Sequence, residues 1–275
     1  MKKVLITGDN SYIGDAVKKY LEQESNNYDV DTIDTVGISP SVEMFSPYDV
    51  VFNVAGIAHI KETKDNRHLY YDINRDLVVK IANTAKEAGV KQFILLSSMS
   101  VYGKTTGFIT KETIPRPTTS YGDSKLQADE LIKRLEDNDF VFTCLRPPMV
   151  YGKGCKGNYQ KLRSFALKFP VFPNYSNQRS MIFVGNLACF VKQCIDEKKS
   201  GLFFPQNAEY INTSKMVERI AQENDKAIRL TKAFNWAIRI LHINVIKKVF
   251  GDLVYESIDT VNQFGFEESI RMTEN

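Results

Sequence analysis

The chain has 275 residues, of which 43% are hydrophobic and 25% are charged, and its formal net charge is +3. This length suits one α/β domain, or one domain with a smaller lobe. The small, dispersed charge argues against a nucleic-acid partner, and no apolar stretch approaches the roughly 18 residues of a membrane span. Four cysteines without a Cys-x-x-Cys pair, and a start without an export signal, indicate reduced thiols. The sequence therefore predicts a cytoplasmic globular protein without stable membrane insertion.

Apolar runs alternate with helical patterns through the first half of the chain. The patterns predict, in order, a strand at 4–7, a helix at 12–21, strands at 28–34 and 49–54, a helix at 72–88, a strand at 92–97, a helix at 120–135 and a strand at 140–145. Strands that alternate with helices pair in parallel, so the pattern predicts an α/β fold with a Rossmann-like doubly wound parallel sheet. Ligands of such sheets bind beyond the carboxyl ends of the strands, where Gly8, Gly56, Ser98 and Pro147 are expected to lie.

The second half differs in composition. Residues 151–179 are rich in glycine and proline and are predicted to be loops, whereas 186–197 has a helical pattern. We therefore predict a dinucleotide-binding domain at 1–150, to which 180–200 returns, and a smaller, mainly substrate-binding lobe at 151–275. Within this lobe the segment 232–250 is both basic and apolar. Burial in the lobe or at a subunit contact is favoured over a membrane surface, because its apolar positions spread around the helix.

A glycine-bearing loop links the first strand to the first helix and is a candidate cofactor site. It includes Gly8, which permits a tight turn, and Gly14, which lets the helix pack closely on the sheet, and between them lie Ser11, Tyr12 and Ile13. The helix N-terminus offers free N–H groups to a pyrophosphate. An ordinary glycine turn is the alternative interpretation.

An acidic residue at the end of the second strand supports the cofactor interpretation. Asp34 follows Gly14 by 20 residues, where a carboxylate can accept hydrogen bonds from an adenosine ribose. Because a carboxylate repels a 2′-phosphate, NAD is the expected cofactor, with NADP as the alternative. Asp31 is the other candidate for this acid.

Three polar residues indicate proton-transfer chemistry. Tyr121 and Lys125 are four residues apart on a predicted helix, so the phenol and the ammonium project from one face. A nearby cation lowers the pKa of a phenol from about 10, which provides a general base usable near neutral pH. Ser98, in the run Leu-Leu-Ser-Ser-Met-Ser, is expected to hold a substrate oxygen against that base.

With these residues in view, the chain resembles the extended short-chain dehydrogenase/reductase family, in its nucleotide-sugar epimerase and ketoreductase branch. The resemblance runs from residue 2 to about 220 and rests on motifs in family order: Thr-Gly-x-x-x-x-Ile-Gly at the first turn, Asn53-Val54-Ala55-Gly56, Asn74, Ser97-Ser98-x-x-Val101-Tyr102-Gly103, Tyr121-x-x-x-Lys125 and Leu145-Arg146-Pro147-Pro148. The chain departs from the pattern at Ser11, which replaces a glycine. It also departs at Met99-Ser100, where the dehydratases of the family carry Asp-Glu, so dehydration is not expected.

The resemblance implies a role for each matching residue. Ser98, Tyr121 and Lys125 would be catalytic, and Ser98 and Tyr121 would also contact the substrate. The cofactor side would comprise Asn53, Ala55, Gly56, Asn74, Pro147 and also Lys125, which would bind the nicotinamide ribose. Asn158 and Arg179 resemble residues that hold a substrate diphosphate, for which the arginine fork is suited. His59 is a candidate sugar contact, with a structural role as the alternative.

The expected activity is NAD-dependent 4-epimerisation of a nucleotide-diphosphate sugar, a UDP-hexose or UDP-N-acetylhexosamine. A 4-ketoreductase of a nucleotide-linked deoxysugar that uses NAD(P)H is the alternative enzyme, and a non-catalytic dinucleotide-binding sensor or subunit is the alternative from another class. The resemblance also implies a homodimer, formed by the helices at 72–88 and 120–135, and a setting in polysaccharide biosynthesis. No His, Cys and carboxylate cluster has the spacing of metal ligands, so no metal site is expected.

Overall fold

The structure, a computed structural model, describes residues 1–58, 60, 62–241 and 243–275. Its strands, in chain order, are β1 (Lys2–Thr7), β2 (Tyr28–Ile33), β3 (Val50–Asn53), β4 (Gln92–Leu96), β5 (Gly107–Ile109), β6 (Val141–Leu145), β7 (Met149–Tyr151), β8 (Val171–Pro173), β9 (Met181–Phe183), β10 (Gly201–Phe203), β11 (Gln206–Asn207), β12 (Arg229–Thr231), β13 (Leu253–Tyr255) and β14 (Thr260–Val261). Its α-helices are α1 (Tyr12–Leu21), α2 (Val42–Phe45), α3 (Arg67–Tyr71), α4 (Val78–Glu87), α5 (Ser120–Lys133), α6 (Asn158–Lys168), α7 (Val184–Asp196), α8 (Thr213–Glu223), α9 (Asn235–Ile240), α10 (Asn244–Phe250) and α11 (Phe266–Glu274).

Six parallel strands form the central sheet, in the order β10-β6-β4-β3-β1-β2. The chain reverses its direction of winding between β1 and β3, since β2 lies on one side of β1 and every later strand of the sheet on the other. Such a switch point opens a crevice at the carboxyl ends of the two strands, which is the usual ligand site of this architecture. The α/β, Rossmann-like, doubly wound fold predicted from the sequence is thus confirmed.

The strands are held by an apolar core because their side chains are covered on both faces. Val51, Phe93 and Leu95 of the central strands are fully buried, and Ile81 of α4 and Ile132 of α5 pack in the same cluster. Continuous apolar runs are what a parallel sheet with helices on its faces requires. This packing fixes where each strand ends, and therefore where the polar residues after the strands lie.

The chain divides into two compact units. The first comprises residues 1–103, 114–147 and 187–205 and contains the six-stranded sheet. The second comprises residues 104–113, 148–186 and 206–275, and it has four two-stranded parallel pairs: β5 with β13, β7 with β9, β8 with β12, and β11 with β14. The boundary drawn from the sequence differs at 104–113, because β5 pairs with β13, which follows it by more than a hundred residues.

Two parts of the chain have local structures that the sequence patterns did not predict. The helix predicted at 72–88 begins with a π-helical turn, Asp72–Leu77, and continues as α4. The segment predicted as loops at 151–179 includes α6, which begins after Gly157, a residue with a φ of +92°. Within the described residues, no helix is long and apolar enough to cross a bilayer.

Candidate active site

The turn between β1 and α1 contains the predicted cofactor residues. Gly8 has a φ of +100°, and a Cβ atom at this position would lie 3.0 Å from the backbone nitrogen of Ala55. Ser11 is the N-cap of α1, with a φ of −83°, and its hydroxyl accepts a hydrogen bond from the Gly14 N–H at 3.1 Å. Since any residue adopts this extended conformation, serine replaces the glycine of the family pattern without backbone strain. Glycine is instead needed at Gly8 and at Gly14, where a Cβ atom would clash with Ser11 Oγ.

The acid after β2 lies beside this turn. Thr7 pairs with Ile33 in the sheet, and the Gly8 N–H donates to the Ile33 carbonyl at 2.8 Å, so Gly8 and Asp34 leave the sheet side by side. The carboxylate of Asp34 is exposed and accepts a hydrogen bond from the Val36 N–H at 2.9 Å. The alternative acid, Asp31, lies inside β2 and accepts a hydrogen bond from Tyr48 at 2.8 Å. The geometry therefore favours Asp34 over Asp31 as the acid at the strand end.

The residues that follow β3 meet the π-helical turn and α5. The amide of Asn74, which is fully buried, accepts from the Ile57 N–H at 2.8 Å and donates to the Ile57 carbonyl at 3.0 Å. A Cβ atom on Gly56 would lie 2.8 Å from Asn74 Oδ1 and 3.1 Å from Lys125 Nζ. Gly56, Asn74 and Lys125, which the sequence separates widely, are thus brought together. π-helical turns often mark functional sites, and this one places Asn74.

The start of α5 packs closely against the turn that follows β4. Thr119 is the N-cap of α5, and its hydroxyl accepts from the Gly122 N–H at 3.1 Å. A Cβ atom on Gly122 would lie 2.6 Å from the Ser100 carbonyl oxygen, so glycine is needed for this approach. The Ser98 hydroxyl accepts from the Ser100 N–H at 3.1 Å and donates to Ser100 Oγ at 3.1 Å, and it lies close enough to Tyr121 to lower the pKa of the phenol. Ser98 and Tyr121 are therefore brought together as predicted from the sequence.

Burial sets the protonation of the two titratable residues on α5. It raises the pKa of Tyr121, and the polar side chain of Ser98 offsets part of that rise. Burial also lowers the pKa of Lys125 to about 8, and the carboxylate of Asp129 acts in the opposite direction. The Lys125 ammonium donates to the Leu96 carbonyl at 3.0 Å. The sequence-based expectation that Lys125 holds the pKa of Tyr121 low is therefore corrected: desolvation of the phenol outweighs the influences that lower its pKa.

A buried ionic network lies one helical turn beyond Lys125, and the sequence pattern alone did not reveal it. Asp129 Oδ2 accepts from Ser97 Oγ at 2.8 Å and from Arg146 Nε at 3.0 Å, and Arg146 donates to the Tyr102 hydroxyl at 2.9 Å. Asp129 and Arg146 are both more than 90% buried. The sequence did contain a signal for Asp129, because this residue continues the four-residue spacing of Tyr121 and Lys125 along α5.

The remaining predicted residues lie elsewhere. Pro147 follows β6, and its carbonyl accepts from the Met99 N–H at 3.0 Å. Asn158 and Arg179 belong to the second unit: Asn158 is the exposed first residue of α6, and Arg179 Nη1 donates to the Gly251 carbonyl at 2.8 Å. His59 lies outside the described residues. Within the described part of the chain, no group of three or more His, Cys, Asp or Glu residues could hold a metal ion.

The carboxyl ends of β1, β2 and β3 fit a dinucleotide. The close approach of Gly8 to Ala55 leaves a cradle that a side chain would fill, and Asp34 provides a carboxylate beside it. Asn53 Oδ1 accepts from Thr7 Oγ1 at 2.7 Å, whereas its buried Nδ2 has no partner among the described residues. A glycine turn, a helix N-terminus and a strand-end acid together define a dinucleotide-binding α/β protein of the Rossmann type.

Comparison with known proteins identifies the family. A family model, the NAD dependent epimerase/dehydratase family, matches residues 4–202, and the chain belongs to that family. It is therefore an NAD-dependent enzyme of the epimerase/reductase type, which confirms the resemblance stated from the motifs.

Individual relatives and solved structures agree with this assignment. The chain is 29% identical to a UDP-glucose 4-epimerase of Vibrio cholerae over an alignment that covers 82% of this chain and 76% of that protein. It is 28% identical to the N-acetyl-alpha-D-glucosaminyl-diphospho-ditrans,octacis-undecaprenol 4-epimerase of Escherichia coli O157:H7 over 58% of this chain and 50% of that protein. The fold matches a UDP-glucuronic acid 4-epimerase of Bacillus cereus in complex with NAD, with a TM-score of 0.76, 16% identity and coverage of 99% and 95%. It also matches a dTDP-4-dehydrorhamnose reductase of Clostridium acetobutylicum, with a TM-score of 0.69, 20% identity and coverage of 83% and 82%.

Proposed function

We propose that the protein is a nucleotide-sugar 4-epimerase that acts on a UDP-hexose or a UDP-N-acetylhexosamine. The observation that carries the proposal is the proximity of the Ser98 and Tyr121 side chains, with the buried cation Lys125 one turn along the helix of Tyr121. The relative in Vibrio cholerae, a UDP-glucose 4-epimerase, supports the substrate class because its alignment extends over most of both chains.

The cofactor would be held along the ends of the first strands. NAD, when bound, would supply the acceptor for the hydride that leaves C4 of the sugar. The residues that we assign to its binding are Gly8, Ser11, Tyr12, Ile13, Gly14, Asp34, Asn53, Ala55, Gly56, Asn74, Lys125 and Pro147. Asp34 favours NAD over NADP because its carboxylate repels a 2′-phosphate.

Tyr121 is the proposed general base. It removes the proton from the 4-hydroxyl as the sugar is oxidised to its 4-keto form, and it returns the proton when the alcohol is formed again on the other face of the ring. Ser98 donates a hydrogen bond to the same substrate oxygen. Because burial raises the pKa of Tyr121, Lys125 is not assigned to hold that pKa low. In its protonated form it is assigned to the nicotinamide ribose, as a hydrogen-bond donor.

The substrate diphosphate is assigned to the second unit. Arg179 is half-buried, and its hydrogen bond to Gly251 holds one end of the guanidinium in place. Asn158 is exposed at the first turn of α6, where helix N–H groups favour anions. These two residues, and the homodimer implied by the resemblance, stay predictions.

Substrate turnover without added cofactor is the decisive test. The purified protein would be incubated with UDP-glucose and with UDP-N-acetylglucosamine, and the sugar protons would be followed by NMR. Conversion to the galacto forms supports the proposal, because an epimerase regenerates its retained NAD in each cycle. A third substrate, N-acetylglucosaminyl-diphospho-undecaprenol, tests the lipid-linked class that the name of the Escherichia coli relative indicates.

Two other outcomes would replace the proposal. Reduction of a 4-keto nucleotide sugar that depends on added NADH or NADPH, without epimerisation of any substrate, would make the protein a ketoreductase, the alternative that the fold of the reductase from Clostridium acetobutylicum also allows. Binding of NAD without turnover of either kind would leave a dinucleotide-binding sensor or subunit. Tyr71→Phe is the matched control for a Tyr121→Phe variant, since it removes a phenol that donates a hydrogen bond to Asp123 and is not the proposed base.

A further inference from the structure

The segment Lys232–Phe250, named here the basic–apolar segment, lies entirely in the second unit and comprises α9, α10 and the residues beside them. Nineteen large apolar side chains are exposed in the described residues, and six of them belong to this segment: Phe234, Trp236, Ile240, Leu241, Ile243 and Val245. Trp236 and Ile240 are 67% and 65% exposed. The predicted burial of the segment within the lobe is therefore wrong for these six side chains.

The inner side of the segment is anchored, so the exposed side chains belong to a packed element. The ring of Phe250 contacts the rings of Phe172 and Tyr175, at centroid distances of 5.6 and 5.7 Å. The carbonyl of Val249 accepts from Thr213 Oγ1 at 2.8 Å, and Asn235 Nδ2 donates to the Asn174 carbonyl at 2.9 Å. The anchoring contacts and the exposed apolar groups thus involve different residues of the same segment.

Positive charge accompanies the exposed apolar groups. Between Asp225 and Asp252 the sequence contains six Lys or Arg residues and no Asp or Glu. On α9, Arg239 lies three residues after Trp236 and one before Ile240, so the three side chains share a face. On α10, the exposed Val245 and Lys248 are likewise three residues apart. Apolar and basic side chains are therefore displayed together.

Two adjoining cavities extend this pattern into the lobe. The larger, of about 560 Å³, is lined by the basic residues Lys215, Lys232 and Arg239. The smaller, of about 220 Å³, shares Arg239 with it and is lined by Ile238, Leu241 and Ile246 among others. The smaller cavity is also lined by Lys247, so basic and apolar side chains meet in it. This combination suits an amphipathic ligand with a phosphate head.

We propose that the basic–apolar segment docks on the surface of an anionic phospholipid bilayer, with Trp236, Ile240 and their exposed neighbours in the interfacial layer and Lys215, Lys232 and Arg239 on lipid phosphates. Exposed Trp and aliphatic groups with interspersed cations are the composition of surface-bound amphipathic elements. A second copy of the chain is the less suitable occupant, since a symmetric contact would set the four basic residues of the segment against the same four. This inference goes beyond the proposed catalytic function and does not depend on it.

The lone tryptophan of the chain makes the test specific. Because Trp236 is the only Trp, its emission reports on this segment alone. The full-length protein would be titrated with vesicles of phosphatidylcholine and phosphatidylglycerol, with vesicles of phosphatidylcholine alone, and with inorganic phosphate. We expect a blue shift, quenching by lipids brominated on their acyl chains, and co-flotation only with the anionic vesicles, all weakened by salt.

Paired variants separate the apolar and the electrostatic contributions. The apolar variant combines Trp236→Ser with Ile240→Ser and is measured by flotation. The charge variant combines Lys232→Gln with Arg239→Gln and is measured by flotation and fluorescence. We expect each variant to lower the vesicle partition coefficient by about tenfold or more. The matched controls remove exposed groups elsewhere: Phe108→Ser with Ile114→Ser, and Lys64→Gln with Lys104→Gln. Partitioning of the controls should equal that of the wild type.

Three results would overturn the proposal. The first is equal partitioning of the paired variants and their controls. The second is a fluorescence change with inorganic phosphate but none with anionic vesicles, which would leave a soluble phosphate compound as the ligand. The third is a blue shift that appears without lipid, depends on protein concentration and is not changed by vesicles. If that shift disappears in an Ile243→Ser, Val245→Ser variant that is monomeric, the segment is a contact between two copies. Epimerase turnover on water-soluble nucleotide sugars is measured in parallel, and its absence would leave the docking of the segment on vesicles unaffected.

Discussion

Two helices of this protein display an aromatic and a basic side chain about one turn apart, and their surroundings are opposite. On α5, Lys125 is only 4% exposed and Tyr121 is half-buried. On α9, Trp236 and Arg239 are both exposed. An aromatic and a basic residue at similar spacing are therefore buried or half-buried in one unit and exposed to solvent in the other.

This difference decides what the charges can do. Burial on α5 shifts the pKa of both the Tyr121 phenol and the Lys125 ammonium, as is common for groups at catalytic sites. Solvated cations on α9 keep their hydration and act through attraction to anionic surfaces, which salt weakens. Spacing alone, read from a sequence, does not distinguish these cases. Substitutions on α5 should therefore change turnover strongly, and stability as well where they break the buried ion pair, whereas substitutions on the exposed face of α9 should leave both nearly unchanged.

Removal of one phenol from α5 should have the largest effect. Tyr121→Phe deletes the proposed base but retains the ring, which packs edge-on against Tyr70 at a centroid distance of 6.3 Å. Turnover of UDP-sugars, measured by NMR, should fall by about a thousandfold, within the range attributed to general acid–base groups. The circular dichroism spectrum and the unfolding midpoint should stay those of the wild type. Retention of wild-type turnover by this variant would refute the role of Tyr121.

Removal of the charge beneath Lys125 should affect both stability and pH dependence. Asp129→Asn leaves the buried Arg146 without its ion-pair partner, so the free energy of unfolding in urea should fall by about 3 kcal/mol. The carboxylate of Asp129 raises the pKa of Lys125, which burial sets at about 8. Protonated Lys125 is lost as pH rises through that value, so turnover should fall above about pH 8 in the wild type and at lower pH in the variant.

The shift of the pH profile distinguishes this positioning role from a purely structural one. Asp123→Asn, on the same helix, removes hydrogen bonds to Tyr71 and Gln127 and should cost about 1 kcal/mol without moving the alkaline limb. An unchanged profile in Asp129→Asn, despite lower stability, would show that Asp129 only supports Arg146.

A single added methyl group tests the contact between the cofactor segment and α5. Gly56→Ala would place a Cβ atom 2.8 Å from Asn74 Oδ1 and 3.1 Å from Lys125 Nζ. We expect a loss of about 1–3 kcal/mol in the free energy of unfolding, together with weaker NAD binding, measured by calorimetry. Gly265→Ala is the control, because a Cβ at that position would have no neighbour within 4 Å. If both variants bind NAD as tightly as the wild type, Gly56 does not lie against the cofactor.

The sequence predicted the first unit well because local patterns determine it. Helix α1 was predicted with its observed bounds, Tyr12–Leu21, since a strand with a glycine turn precedes it and apolar spacing runs through it. Tyr121 and Lys125 lie on a helix as their spacing indicated. The direction of the pKa shift of Tyr121 was not predictable, because it depends on desolvation by neighbours distant in sequence.

The second unit was predicted less well because its contacts are remote. Strand β5 has three residues, and its partner β13 begins at Leu253, so neither shows an alternation long enough to detect. The basic–apolar segment was expected to be buried in the lobe or at a subunit contact, because its apolar residues spread around the helix. The structure instead divides it at Leu241 into two short helices, which pack Phe250 against Phe172 and expose Trp236.

Truncation of the exposed face of α9 should have the smallest effect on stability. Trp236→Ser and Ile240→Ser remove side chains that are 67% and 65% exposed, so each should change the free energy of unfolding by no more than about 0.5 kcal/mol. Phe172→Ser, which removes a buried ring that packs on Phe250 on the inner side of the segment, should cost about 3 kcal/mol or more. Urea unfolding of the three variants tests the contrast directly. A loss for Trp236→Ser as large as that for Phe172→Ser would mean that α9 is packed against protein in solution, and the contrast between α5 and α9 would then lose its physical basis.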